Sequence, residues 1–204
     1  MTTELFYDIA QGSPEWIEIR RGIPTASSFQ CLMAKSVDRK GRATYLRRLA
    51  AELITGEVGE GFTSGPLERG KEMEPEARAA YALLTDAEPR LVGFARDMAL
   101  GAGASPDALL GDDGLLELKT QRADLLIETI LKDEFPSEHY AQVQGGLLVT
   151  GRKWADICVY WPKLPLFIKR TFRHEPYLAE LQKAIAEFRT DLDAMVKRVR
   201  AYSS

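Results

Sequence analysis

Asp107 ends the run Ala104-Ser-Pro-Asp107, and after nine intervening residues comes Glu117-Leu118-Lys119. On an extended strand residues two apart share a face, so Glu117 and Lys119 point the same way while Leu118 faces the core. A hairpin turning at Gly111-Asp-Asp-Gly114 brings Asp107 alongside them. Two carboxylates converging at a sheet edge make an oxygen-rich site for a hard cation such as Mg²⁺, which keeps several waters and takes only one or two protein carboxylates. The Lys119 ammonium beside it can orient an attacking hydroxide or stabilise charge on a phosphate as a pentacovalent transition state develops. Singly these features are ordinary, since Glu-x-Lys is a common surface ion pair and Pro-Asp a routine turn opener. Their joint spacing is what points to a site. Asp112 and Asp113 fall in the turn itself and read as solvated residues.

Other chemistries lack their residues. Cys31 and Cys158 are the only cysteines, too few for a Cys-ligated zinc or an iron-sulfur cluster, and in a reducing compartment they are expected as buried thiols. His139 and His174 stand 35 residues apart, which excludes HExxH and any His-rich cluster. Any metal must therefore be held mainly by oxygen. The cleanest apolar run, Ile157 to Trp161, is strand-sized, and the start of the chain lacks the basic and apolar stretches of a signal peptide, so the expectation is a cytoplasmic protein with no membrane partner.

The elements that must position these groups fit one domain over residues 1–204, with 45% hydrophobic and 28% charged residues, as in average globular chains. Ser13-Pro14 caps a first helix carrying Trp16, Ile17 and Ile19, and a second starts near Thr25 to Ser27. Apolar residues from Arg42 to Gly56 and again from Pro66 to Thr85 repeat at helical spacing, with Pro75 expected to start or kink the latter helix. Leu91 to Ala95, Met98 to Ala102, Asp107 to Leu110 and Leu115 to Lys119 are strand candidates. Helices follow at Ala123 to Leu131 and Ser137 to Thr150, then a strand pair, Trp154 to Trp161 and Leu166 to Arg173, and a long helix from Pro176 to Arg200. Helices flanking a central mixed sheet define an α/β or α+β fold.

Ordered blocks along the chain resemble a known family. They are Trp16-Ile-Glu-Ile-Arg20-Arg-Gly22 with Thr25-Ala-Ser27, Arg69-Gly-Lys-Glu-Met-Glu74, Ser105-Pro-Asp107, Leu116-Glu-Leu-Lys119 and Tyr140-Ala-Gln142-Val-Gln144. Together they resemble the phage lambda-type alkaline exonucleases (YqaJ-like viral recombinases) of the PD-(D/E)xK nuclease superfamily, across residues 14 to 161. The resemblance implies a restriction-endonuclease-like core and a Mg²⁺-dependent enzyme, with Mn²⁺ as a substitute. Such an enzyme degrades the 5′-ended strand of duplex DNA to mononucleotides and leaves 3′ single-stranded tails for single-strand annealing. It also implies a homotrimeric ring around DNA and an annealing protein as partner.

By the same resemblance Asp107, Glu117 and the main-chain carbonyl of Leu118 are metal ligands and Lys119 is the catalytic lysine. Glu74 matches an acid at a second metal or its water, Gln142 a glutamine that positions the nucleophilic water, Arg20 and Ser27 a 5′-phosphate pair, and Leu67 an apolar wedge at the terminal base pair. Read from the residues alone, Glu74 is rather an exposed helical acid and Leu67 core packing, while Gln142 against Gln144 is a choice of helical register in which Gln142 is preferred. Trp16, Trp154 and Trp161 read as core, and both histidines as structural or surface residues. A structure-specific or endonucleolytic relative would share Asp107, Glu117 and Lys119, and a non-catalytic DNA-binding scaffold would keep only the fold.

The net charge of −3 argues against a polyanionic partner until it is resolved along the chain. Arg20 to Arg48 holds eight bases and one acid, whereas Glu52 to Arg90 holds nine acids and four bases. A basic face able to hold phosphates is therefore hidden in a near-neutral total.

Overall fold

The computed structural model describes residues 3–33, 39–58 and 65–203. In chain order the elements are β1 (Thr3–Phe6), α1 (Pro14–Arg20), α2 (Phe29–Met33), α3 (Arg39–Thr55), α4 (Gly65–Thr85), β2 (Pro89–Arg90), β3 (Phe94–Asp97), β4 (Ala102–Ala104), β5 (Ala108–Leu110) and β6 (Gly114–Thr120). They continue with α5 (Ala123–Lys132), α6 (Tyr140–Thr150), β7 (Trp154–Tyr160), β8 (Phe167–Phe172) and α7 (Glu175–Arg200). A 3₁₀ turn at Ala26–Ser28 precedes α2, and another at Ser137–His139 precedes α6.

The central sheet has five strands in the order β2-β5-β6-β7-β8. Only β6 and β7 run parallel, with Glu117 opposite Ile157 and Lys119 opposite Val159. The pairs β2–β5, β5–β6 and β7–β8 are antiparallel, so the sheet is mixed, as expected. Alternation along β6 splits its side chains between two cores. Leu116 and Leu118 pack with Ala77 and Tyr81 of α4 on one face. Leu115 packs with Val143 and Leu147 of α6 on the other, where Leu126 of α5 also meets Val159. A third cluster joins α2, α3 and α7 to a smaller sheet, ordered β1-β3-β4, through Phe29, Leu49, Ala95, Ile185 and Phe188.

Three local expectations change. Helix α4 runs unbroken through Pro75; the ring removes one ladder donor, and burial of Ala77 and Tyr81 holds the helix across that gap. Met98 to Ala102 is largely a turn rather than a strand, because the Asp97 carboxylate accepts the N–H groups of Ala99 and Leu100 at 2.9 and 3.0 Å and so ends β3. Cys158 is buried, but Cys31 is half-buried, its thiol donating to the Ser28 carbonyl at 2.9 Å. Among the described residues no helix is long and apolar enough to cross a membrane.

Candidate active site

The hairpin β5–β6 places Asp107 one residue before β5, with its N–H donating to the Leu116 carbonyl at 3.2 Å. One Asp107 carboxylate oxygen accepts the Leu118 N–H at 2.5 Å. Glu117 and Lys119 share the α6 face of β6, and the Lys119 ammonium donates to Glu117 Oε1 at 2.7 Å. Gln142, in the first turn of α6, donates its amide to the same Glu117 oxygen, and its own Oε1 lies 3.4 Å from Lys119 Nζ. The two glutamines of α6 have different surroundings. Gln144 is fully buried, donating to the Phe172 carbonyl at 2.8 Å and accepting the His174 N–H at 3.0 Å, and so ties α6 to the end of β8.

A few residues away the same cavity changes sign. Arg20, at the end of α1, places its Cζ over the Trp16 ring, 3.7 Å from the centroid, and donates to Ser105 Oγ at 2.8 Å. The Trp16 indole N–H also reaches Ser105 Oγ, at 3.1 Å, and the Gly93 carbonyl at 2.9 Å. Ser27 stands on the facing 3₁₀ turn, 3.5 Å from the Thr25 hydroxyl. That turn approaches α6 at Gly145, where a Cβ would come within 2.4 Å of the Phe29 ring. Arg20, Ser27, Glu74, Asp107, Glu117, Leu118, Lys119 and Gln142 all line one cavity of about 320 Å³. Leu67 belongs to α4, but its side chain lies outside the described residues.

The electrostatics are those of an anionic cluster wanting a cation. Burial first, then the neighbouring Glu117 carboxylate, hold the Asp107 carboxyl well above the usual carboxylate range, with Glu74 pushing the same way; Lys119 and the Leu118 N–H only partly offset this. Burial alone would lower the Lys119 pKa, but Glu117 and Asp107 outweigh it and keep the ammonium charged. Burial pushes the Arg20 guanidinium down to about 10, with the like charge of Arg48 acting in the same direction, and it stays cationic at neutral pH. Asp107, Glu117 and the Leu118 carbonyl thus offer hard oxygen donors whose negative charge Lys119 only partly compensates, which suits a divalent cation. Among the described residues no group of three His, Cys, Asp or Glu side chains is assembled for a metal, so Glu74 lines the cavity without closing a three-acid shell.

One contributor escaped the reading of the sequence. Trp16 is a half-buried platform for Arg20 rather than core, and the i,i+4 spacing of the two residues on a helix was the available signal. His139 is half-buried on the turn before α6, its imidazole pushed down to about 4 by burial and then by the charge of Lys119, so it is neutral beside the site. Trp154 and Trp161 are half-buried too, each facing an arginine, Arg170 and Arg69.

A family model for the YqaJ-like viral recombinase domain matches residues 15–153. Among solved structures, an alkaline exonuclease (LHK-Exo) from Laribacter hongkongensis is 32% identical, with 94% of this chain and 98% of that chain covered at a TM-score of 0.84. The structure of LHK-Exo in complex with dAMP gives the same figures. A phage related exonuclease from Haemophilus somnus 129PT, 11% identical over 87% of this chain and 96% of its own with a TM-score of 0.63, shares the fold. No curated protein sequence matches the chain. With the family model covering the carboxylate and lysine motifs and the 32% identical exonuclease covering nearly the whole fold, the chain belongs to the YqaJ-like viral recombinase family, as a nuclease of the alkaline exonuclease type.

Proposed function

We propose that residues 1–204 act in the cytoplasm as a single Mg²⁺-dependent exonuclease domain. It degrades the 5′-ended strand of duplex DNA from its end, releases mononucleotides and leaves a 3′ single-stranded tail for annealing. The observation that carries this reading is that the cationic Arg20–Ser27 corner and the Asp107–Glu117–Lys119 centre open into one cavity of about 320 Å³. That volume is at the small end of ligand pockets, and it suits one terminal nucleotide held between a phosphate corner and a hydrolytic centre. The dAMP complex of LHK-Exo supports the same view of the product.

In this reading Arg20 grips the terminal 5′-phosphate through its planar fork, with Ser27 as a neutral donor. Trp16 and Ser105 position the guanidinium by ring contact and hydrogen bond. The terminal phosphate thereby sets which phosphodiester bond reaches Glu117 and Lys119. Asp107, Glu117 and the Leu118 carbonyl would hold Mg²⁺, or Mn²⁺ in its place, with Glu74 at a second ion or its water. Such an ion supplies Lewis-acid polarisation of the phosphate and an acidified water. Gln142 and Lys119 orient the nucleophile, and the Lys119 ammonium stabilises the charge that develops on the phosphate oxygens. Leu67 serves as an apolar wedge at the terminal base pair. A homotrimeric ring and an annealing protein complete the proposal. Exposed leucines support a further interface: Leu83 and Leu84 end α4 on one side of the sheet, whereas Leu125 and Leu131 lie on α5 on the other. Unlike patches make head-to-tail contacts, which close into a ring when the rotation between copies closes.

Linear duplexes with 5′-phosphoryl and 5′-hydroxyl ends, digested in Mg²⁺, test the reading. The phosphorylated end is expected to be consumed faster, and equal rates would remove the roles of Arg20 and Ser27. Covalently closed circular DNA should stay intact, and its cleavage would instead make the enzyme an endonuclease.

A further inference from the structure

A second groove, of about 720 Å³, begins where the active-site cavity ends. The two share Ser27, while Arg20, Asp107, Glu117 and Lys119 line only the first. One wall of the second groove is Ser28 and Gln30. The other is a stripe along α3 made by Lys40, Thr44 and Arg48, with Tyr45 buried behind it. Residues four apart share a helix face and rise about 6 Å, comparable to the step between successive phosphates of one strand. No acidic side chain is among the described residues lining this groove. Arg48 is 59% exposed at its side chain and pairs at 3.7 Å with Glu52, which does not line the groove and whose other oxygen accepts the Gly22 N–H at 2.9 Å.

We propose that this groove, through Lys40, Thr44 and Arg48, binds the sugar-phosphate backbone of the 3′ single-stranded tail. This rests on the exonuclease reading above. If the terminal 5′-phosphate sits at Arg20 and Ser27 and the scissile bond at Glu117, the degraded strand ends at Ser27. A strand continuing past that point, away from the carboxylates, is the complementary one. The groove offers that strand cations and hydroxyl or amide donors but no exposed ring for stacking, so its contacts are sequence-independent, as digestion of any DNA requires.

The test compares initial digestion of a 5′-phosphorylated duplex with a blunt end and the same duplex carrying a 3′ tail of about a dozen nucleotides, a length comparable to the upper site sizes of single-strand binding folds. The wild-type enzyme is expected to show a several-fold lower KM on the tailed end. In a K40Q/R48Q double variant the blunt-to-tailed KM ratio should fall to about one, and the salt dependence of log KM on the tailed substrate should flatten by about 0.7 per cation removed. The charge-conserving pair K40R/R48K should restore both, which separates charge from folding. A wild-type ratio of one, or a ratio unchanged in K40Q/R48Q, overturns the assignment while leaving the exonuclease reading intact. A wild-type enzyme that digests only from 3′ ends removes the polarity on which both depend.

Discussion

Arg20 Nη1 donates to Ser105 Oγ at 2.8 Å, and Ser105 stands two residues before Asp107. One hydroxyl therefore joins the cationic corner to the loop that carries the Asp107 carboxylate, the proposed metal ligand. Ser105→Ala removes that acceptor from both Arg20 and the Trp16 indole, which keeps the Gly93 carbonyl. A hydrogen bond to a charged group contributes about 1.5–3 kcal/mol. The expected result is a KM for 5′-phosphoryl ends raised roughly tenfold or more, with kcat changed much less. Steady-state kinetics on phosphorylated and dephosphorylated ends check it. A fall in kcat with KM untouched would place Ser105 in the chemistry instead.

Gln142 and Gln144 are two residues apart on one helix yet do different work. Gln142→Ala leaves the packing of α6 intact and takes an amide from Glu117 and Lys119. Its expected effect is a kcat at least tenfold lower with an unchanged melting temperature. Gln144→Ala empties a fully buried side-chain position and takes the partner from the Phe172 carbonyl and the His174 N–H. That costs about 1–3 kcal/mol of stability, and kcat at a permissive temperature should be near normal. Thermal melts and single-turnover rates on the two variants separate the roles, and matching phenotypes would contradict this division.

The central chemistry was legible because its period is local. Residues 117 and 119 must share a face of any strand, and the Gly111–Gly114 turn returns Asp107 to them. The Ser13 cap of α1 was equally local, its side chain accepting the Trp16 N–H. What stayed hidden depends on distant pairing. Strand β1 is four residues long and finds its partner β3 some ninety residues on, with Thr3 opposite Asp97, so no pattern within the segment announces it. The run Met98 to Ala102 has strand-like composition, but Asp97 caps it into a turn that Gly101 completes with a φ of +62°. Ser105 as the shared acceptor of Trp16 and Arg20 is likewise a tertiary fact, since the donors lie more than eighty residues away.

Gly145 sets how closely the 3₁₀ turn that carries Ser27 approaches α6. A Cβ there would lie 2.4 Å from Phe29 Cδ2 and 3.3 Å from the Ala26 Cβ, and Phe29 is fully buried. Gly145→Ala must therefore displace the 3₁₀ turn that carries Ser27. Overpacking of this kind costs about 1–3 kcal/mol. Beyond that loss, the preference for 5′-phosphoryl over 5′-hydroxyl ends should weaken several-fold. Kinetics on both ends, run well below the melting temperature, test this, and a destabilised variant with full end preference would show that the turn moves without Ser27.

Asp107 links metal binding to stability with a definite sign. Its carboxyl is held above the ordinary range, by burial first and then by Glu117, so without a cation the folded state prefers it protonated. A raised folded pKa contributes stability at low pH that is lost as pH rises through that value. Metal-free protein at neutral pH thus carries the cost of two adjacent carboxylates. Asp107→Asn keeps an oxygen to accept the Leu118 N–H and removes the charge. In EDTA at neutral pH the variant should melt higher than wild type, and the gap should shrink as pH falls toward the ordinary carboxylate range. Excess Mg²⁺ should raise the wild-type melting temperature and leave the variant nearly unmoved, because a ligand that binds only the folded state stabilises it by mass action. Melts at graded pH, with EDTA and with Mg²⁺, give all of these slopes. An Asp107→Asn protein no more stable than wild type in EDTA would mean that the carboxylate pair is balanced by Lys119 alone and that no cation is needed to hold the site together.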